Sequence, residues 1–583
     1  MPEARVLRQL VEALLFERIA SWPSERCGAH ASGERELTFS LGTVVYRCRA
    51  RVAAFGRVRV TAGSVQKLAP STWRETSWSE VLADVPGDPS VKAAIAEELE
   101  NTARLCRWNQ EHLPALRRSR RALPYQALEG LLHEGHPYHP CFKSRTGFSL
   151  ADQAAYGPEA GNPFELRWLA VRRARLCQTF PTSEAEHFRS ELGATGYASL
   201  VAAQRAKGAD VAQYGLLPVH PWQWQKLAGW SALKAAQAGG EVVDLGFGVA
   251  SYRASQSLRT LLPVSNASAS HIKLPLAVRV SSSLRTLQPE TVKSAPALSA
   301  WLQAAVASDP FFEQVAGAVV LGEHASSLYE PAGPGGAELD GHLAAIWRQP
   351  VGPRLREGER AVPFNALFAV EHDGDPHVDV WVREHGLSAW LEQLLRVTVL
   401  PLWRLLSRHG IALEAHAQNL LLLHREGWPE RLALRDFHDS VEYVPSFLAD
   451  PSRLPRWEAL DARFGSAAIG RHYAMHSVVE LRELFIDTVM VFNLSELSWL
   501  LEQRYGFAES DFWRLARKVL SDYGRSRWCD PARDAALGWG EPFVRTESLF
   551  RARLRAPSTE LSHHWVPSAL HDHAGKELHA GHQ

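Results

Sequence analysis

Near the start of the chain, apolar positions recur every three or four residues, at Val6, Leu7, Leu10, Leu14 and Leu15, and predict an opening helix. Residues 37–62 then alternate and predict an antiparallel pair or meander, and residues 89–123, rich in Ala, Glu, Leu and Arg, return to helix. Residues 1–125 therefore read as an N-terminal αβ lobe without chemistry of its own. Within residues 251–285 two short strands are predicted. One of them, HIKLPLAVRV, sets Ile272, Leu274, Leu276 and Val278 on one side and Lys273, Pro275, Ala277 and Arg279 on the other. Residues 387–409 place Leu391, Leu394, Leu395, Val399, Leu402, Leu405 and Leu406 on one helical face, and Gly410 supplies a stop. IALEAHAQN alternates again, with Leu413, Ala415 and Ala417 opposed to Glu414, His416 and Gln418. From about residue 450 the pattern is helical and tryptophan-rich.

With 583 residues the chain predicts about three or four structural units and a sizeable core. Lys+Arg and Asp+Glu are equal at 64 each, which leaves no electrostatic case for nucleic acid or an anionic membrane as partner. The first residues mix charges among apolar positions and lack the uninterrupted core of a secretory signal. No apolar run approaches the roughly 18–20 residues that span a bilayer. Six scattered cysteines without a CxxC point to reduced thiols in the cytoplasm and away from iron–sulfur or structural zinc sites.

Three polar clusters stand out in residues 251–285: Ser257, Arg259 and Thr260; Lys273; and Ser281 to Ser283 with Arg285. Guanidinium forks, a lysine and small hydroxyls suit phosphate and carboxylate oxygens, while a solvated strand face would look the same. Upstream, GHPYHPCFKSRTGFS carries His136 and His139, each pushed towards extended backbone by the following proline, then Lys143 and Arg145. Two histidines three apart suggest metal, yet the neighbouring cations favour an anion, and a rigid surface turn with a buried histidine is the bland alternative. His416 could equally be a core histidine and Asp436 a partner for Arg435. From His563 onward lie six of the 25 histidines, at irregular spacing, which predicts a disordered polar tail ahead of metal capture.

GHPYHPxxKSRxGF, LPVHPWQW (residues 217–224), SxRT (257–260), HIKL (271–274), EAHAQN (414–419) and LRDF (434–437), in that order, resemble the IucA/IucC family of siderophore synthetases that act independently of nonribosomal peptide synthetases. The helical remainder resembles the FhuF-like region that follows in that family. The resemblance implies an α+β, multi-lobed, cupped-hand architecture: a thumb (1–125), fingers with an antiparallel sheet (126–385), a largely helical palm (386–562) and the tail (563–583). It implies an ATP-dependent ligase that adenylates a carboxylic acid, releases pyrophosphate, and joins the acyl group to an amine or hydroxyl with loss of AMP. By the same resemblance, Ser257, Arg259, Thr260 and Lys273 grip the ATP phosphates, with His139, Lys143 and Arg145 closing over them. Arg285 bridges carboxylate and α-phosphate, His416 binds the acid, Glu414 positions the amine, and Asn419 and Asp436 hold Mg²⁺ and thereby the nucleotide. KSRTGF and YGPE (156–159) look like type C members, which take a monofunctionalised citrate or a succinyl-hydroxamate; type A, taking free citrate, is the alternative. The resemblance also implies small-molecule partners and a cytoplasmic homodimer. A kinase-like phosphotransferase shares a strand lysine with a later Asn and Asp, but no glycine-rich loop precedes Lys273.

Overall fold

The computed structural model describes residues 2–22, 33–280, 283–331, 333–555 and 562–572. The helix Pro2–Phe16 buries Val6, Leu10, Leu14 and Leu15, as its periodicity predicts. Arg35–Leu41, Val44–Val52 and Val58–Val60 form the antiparallel meander. The helix expected over 89–123 begins where Asp88 accepts from the N–H groups of Ser90 and Val91, and it ends at His112. Pro114, with no N–H and a ring that clashes with the preceding turn, prevents its continuation.

These first elements pack directly onto the C-terminal helices. Val6, Phe39 and Leu99 share one apolar core with Leu391, Val489 and Leu520 of the C-terminal helices, so the boundary expected at 125 meets no gap in the packing. A second core, with Trp168, Leu217, Ile272 and Trp347, backs an eight-stranded sheet. Its strands run in the order Leu176–Thr179, Glu323–Tyr329, Ala344–Arg348, His271–Lys273, Thr260–Pro263, Val242–Ala254, Phe164–Arg172 and Tyr214–Val219. Every neighbour is antiparallel, which is the sheet expected of the fingers. The boundary expected at 385 cuts a second sheet, because Gly317–Val320 and Arg360–Pro363 pair with Trp428–Leu434 and Leu420–Arg425. The architecture is α+β and multi-lobed, with lobes that interlock.

Residues 387–409 are the helix Leu387–Arg404, continued by a π-turn, Leu405–His409. Gly410 ends it at φ 78°, and a Cβ there would stand 2.4 Å from the Phe447 carbonyl oxygen, so two constraints select glycine. The stretch Val478–Tyr505 is one helix long and apolar enough to cross a membrane, contrary to the expectation from the sequence; 83% of its apolar window is buried inside the fold, where it serves as a core helix.

The C-terminal expectation is corrected more sharply. His563–Pro567 is a strand paired with Phe543–Glu547, and His564 is buried, bonded to Ser548 Oγ at 2.8 Å and set edge-on to Phe16 at 4.7 Å. His571 Nδ1 donates to the Gly540 carbonyl at 2.8 Å. Alternation of exposed and buried positions over HHWVP is what docks this segment; the other three histidines, His573, His579 and His582, lie outside the described residues. Deleting 563–583 is expected to lower the thermal unfolding midpoint by several degrees, whereas deleting 573–583 leaves it unchanged. Differential scanning calorimetry of the two truncations separates these outcomes.

Candidate active site

Antiparallel pairing of Thr260–Pro263 with His271–Lys273 sets Thr260 directly opposite Lys273, which brings two motifs thirteen positions apart onto one patch of the sheet. Ser257 Oγ accepts the Thr260 N–H at 3.1 Å and closes a tight turn. Leu258 within that turn has φ 69°, a left-handed backbone that costs a non-glycine residue about 1 kcal/mol or more. The turn projects Arg259, whose Nη1 donates to the Thr286 carbonyl at 2.6 Å. Thr260 Oγ1 is buried and has no protein partner among the described residues.

HIKLPLAVRV is not one strand. Pro275 has no N–H for a ladder, and the chain breaks there into His271–Lys273 in the large sheet and Leu276–Val280 in a separate hairpin with Ser283–Arg285. The alternation therefore misassigns its two cations. Lys273 is buried, with Nζ 2.6 Å from Asp436 Oδ1 and 3.3 Å from Glu323 Oε1, while Arg279 is 39% exposed and approaches Glu98. Arg285 lies opposite Leu276, at the hairpin's open end. Burial, and next the Arg259 guanidinium, bring its pKa down to about 10, so it stays charged at neutral pH; Glu414, Asp439 and Asp436 act in the opposite direction. Ser281 and Ser282 lie outside the described residues.

The facing wall comes from the strand Ile411–Leu413 and the turn Ala417–Asn419. Alternation survives here in burial: Leu413, Ala415 and Ala417 are buried, Glu414, His416 and Gln418 half-exposed. His416 is thus no core histidine; its Nε2 is 3.9 Å from Glu414 Oε1, and Glu414 Oε2 accepts from Ser440 Oγ at 2.8 Å. Asn419 Nδ2 donates to the Glu414 carbonyl at 2.9 Å, so the side-chain oxygen points the other way. Strand pairing of Leu420 with Leu434 then brings Asn419 next to Arg435, whose N–H donates to the Asn419 carbonyl at 3.0 Å. A small crevice is lined by Glu414, Asn419, Arg435, Asp436 and Ser440.

Asp436 does not serve Arg435. Arg435 is held by Glu129 at 2.5 Å and Tyr125 at 2.7 Å, and Asp436 Oδ1 takes Lys273 and, at 2.8 Å, Arg348. Burial alone would raise the Asp436 pKa; Arg348, Lys273 and Arg435 outweigh it and hold the carboxyl well below its usual range. Asp436 also has φ 66°, a conformation that Asp tolerates better than most residues.

The HPYHP loop turns inward. His136 Nδ1 accepts the N–H groups of Tyr138 and His139 at 3.1 and 3.0 Å, and His139 Nδ1 accepts that of Cys141 at 3.1 Å. Burial lowers their pKa values to about 3 and about 4, so both rings are neutral. Lys143 and Arg145 are buried on Glu159, Arg145 bidentately at 2.8 and 2.9 Å, and both cations are thereby spent on an internal carboxylate. The anion held by this cation-rich loop is Glu159, one carboxylate against two cations, so Lys143 and Arg145 are engaged inside the fold in this structure. His139, with Nε2 buried and unbonded, joins neither wall directly. Glu323, Arg348, His438 and Asp439 complete the charged cluster and belong to no motif read from the sequence; EHASSLY and AAIWR, the strands carrying the first two, are buried almost throughout and show no alternation that would single them out. Among the described residues no group of three or more His, Cys, Asp or Glu could hold a metal by itself.

Residues 124–369 match the IucA / IucC family, and residues 388–561 match the ferric iron reductase FhuF-like transporter family. The chain is 32% identical, over 97% of its length and 93% of the relative's, to the citryl-spermidine/3,4-dihydroxybenzoyl-citryl-spermidine:spermidine ligase of Bacillus anthracis. It is 30% identical, over 76% of its length and 75% of the relative's, to the aerobactin synthase of Escherichia coli. The crystal structure of the petrobactin biosynthesis protein AsbB from Bacillus anthracis superposes with a TM-score of 0.88 at 30% identity, covering 97% of this chain and 95% of that one.

Proposed function

Because this chain belongs to the IucA/IucC family, and is an ATP-dependent siderophore synthetase that forms an amide or ester through an acyl-adenylate, we propose that its two charged walls divide that reaction between them. The carrying observation is the juxtaposition of Thr260 and Lys273 across one strand pair with Lys273 on Asp436. Ser257, Arg259, Thr260 and Lys273 take the triphosphate, and Arg285 draws the substrate carboxylate to the α-phosphate. A carboxylate oxygen attacks that phosphorus and pyrophosphate leaves; the nucleophile then attacks the acyl carbon and AMP leaves. His416, half-exposed beside Glu414, donates to the acid's other oxygens.

Magnesium fits this site through the nucleotide. An amide oxygen from Asn419 and one carboxylate oxygen of Asp436 suit a cation that takes one or two protein oxygens and keeps the rest for phosphate and water. Bound there, it would draw off charge from the phosphates as pyrophosphate departs. Asp436 Oδ1 is fixed by Lys273 and Arg348, which orients Oδ2.

The nucleophile we infer is a neutral nitrogen of a polyamine whose other nitrogens are protonated, and the acid a citrate already amidated once, as in type C enzymes. The B. anthracis relative joins citryl-spermidine to spermidine by its name. Around Glu414 this chain gathers carboxylates: burial first, then Glu414, raises Glu442 to about 8, and burial, then Asp487 and Glu414, raises Glu547 to about 8. A protonated nitrogen elsewhere in the polyamine would relieve that crowding. Since raised carboxyls ionise as pH climbs through about 8, the KM for a polyamine is expected to fall between about pH 7 and 9 while the KM for ATP stays level. Flat polyamine KM values would remove the two glutamates from amine binding.

Pyrophosphate release is the test of the whole reading, with ATP, Mg²⁺ and a panel of free citrate, a citryl monoamide and a succinyl-hydroxamate. Release with the monoamide supports type C, release with free citrate moves the chain to type A, and ADP in place of AMP defeats the assignment of the walls. The described cysteines are all free, which supports a cytoplasmic enzyme. The homodimer is a proposal for sedimentation to decide.

A further inference from the structure

Glu323 opens a strand of the large sheet and its side chain is 0% exposed. Its own N–H donates to Ser299 Oγ at 2.8 Å, which ties the residue to the helix Pro289–Ala307. Oε2 accepts two successive backbone N–H groups, those of Phe437 at 3.3 Å and His438 at 2.9 Å. Oε1 lies 3.1 Å from His438 Nδ1 and 3.3 Å from Lys273 Nζ. His438 Nε2 is 3.0 Å from Asp439 Oδ2, though without hydrogen-bond geometry, and the Tyr473 hydroxyl fixes the His438 carbonyl at 2.8 Å.

Consecutive N–H groups that follow a left-handed residue form a concave anion-binding nest. Here the left-handed residue is Asp436, and the anion in the nest is the protein's own Glu323. The nest therefore does two things at once. It bends the backbone so that the Asp436 carboxylate swings back towards the sheet, and it leaves Oε1 beside Lys273. Glu323 pairs in register with Arg348, which grips Asp436 from the same side. A glutamate is required for this double reach. The carboxylate accepts on both oxygens, whereas an amide at this position would turn donor hydrogens either on the two N–H groups or on Lys273.

We propose that Glu323 is a positioning residue for adenylation, setting the separation and orientation of Lys273 and Asp436 before ATP arrives; this rests on the roles given to those two residues above. The test is a double-mutant cycle of Glu323→Gln with Lys273→Met, read by ATP–pyrophosphate exchange and by the Mg²⁺ concentration giving half-maximal rate. A positioning role predicts that Glu323→Gln lowers exchange by about 10- to 100-fold and raises the half-maximal Mg²⁺, as is usual when the support of a ligand is lost. It further predicts that the double variant is no worse than Lys273→Met alone. Losses that multiply across the cycle, with an unchanged Mg²⁺ requirement, would make Glu323 a structural strut and overturn the proposal. A fully active Glu323→Gln beside an inactive Lys273→Met would overturn it alone, while an active Lys273→Met would remove the phosphate role of the lysine and the proposal with it. Should Glu323→Gln fail to fold, Glu323→Asp keeps the charge, shortens its reach by one methylene, and runs the same cycle with the same criteria.

Discussion

Arg285→Ala is expected to abolish adenylate formation, with exchange of pyrophosphate into ATP reduced by roughly 10²–10³-fold or more, the range found when one preorganised donor to a developing charge is removed. Arg285 sits at the end of a two-stranded hairpin and is half-exposed, so truncating it empties no core. What disappears is a cation facing the carboxylates of Glu414, Asp439 and Asp436, in the space where the substrate carboxylate and the α-phosphate have to meet. Arg285→Lys keeps the charge but loses the planar fork, and should recover only part of the rate. Normal exchange by a folded Arg285→Ala would take this residue out of the mechanism. Since its pKa stays near 10, the parent enzyme should keep this cation up to about pH 9.

Asp436→Asn is the second substitution of large effect, and the backbone makes it a clean one. The residue is left-handed at φ 66°, which asparagine adopts at least as readily as aspartate, so the turn survives and only the charge is lost. Lys273 and Arg348 would then share a neutral amide where each had a carboxylate. We expect turnover to fall about 100-fold or more and the Mg²⁺ requirement to rise, measured as initial rates against Mg²⁺ at saturating ATP. Unchanged metal dependence would assign Asp436 a purely structural part.

Local pattern made much of this legible. The helix ending at Gly410, the opening helix, and the alternating exposure of residues 413–419 follow from periodicities that each segment carries within itself. What escaped depends on register and distance. Lys273 and Arg279 share one face of an alternating run, yet the break at Pro275 leaves the first in the cluster and the second half-buried beside Glu98. Glu159 was visible in YGPE, but nothing local says that Lys143 and Arg145 turn back onto it. Glu323 and His438 are single residues 115 positions apart, joined only because one strand edge meets one left-handed turn. The interlocking of the parts on either side of 125 and 385 escaped for a related reason: sheets and cores here recruit strands and helices from distant parts of the chain, and no composition shift marks such exchanges.

The meeting of the first helix with the last described strand bears on how the enzyme is made. Phe16 packs on His564, and Glu17 accepts the N–H groups of Phe550 and Arg551 while Tyr138 donates to it. On a ribosome adding about 5–20 residues each second, His564 follows Phe16 by roughly half a minute to nearly two minutes, long after the helix has its N-terminal neighbours Val60, Val81 and Leu99. Over that interval Phe16 can meet Arg57, Tyr138 and then Phe492, and lacks only its His564 edge, while Glu17, whose folded pKa is raised to about 7 chiefly by burial, lacks the Phe550 and Arg551 N–H groups. The Phe16–Glu17 end of the first helix is therefore the part of this core completed last, by residues 550–564.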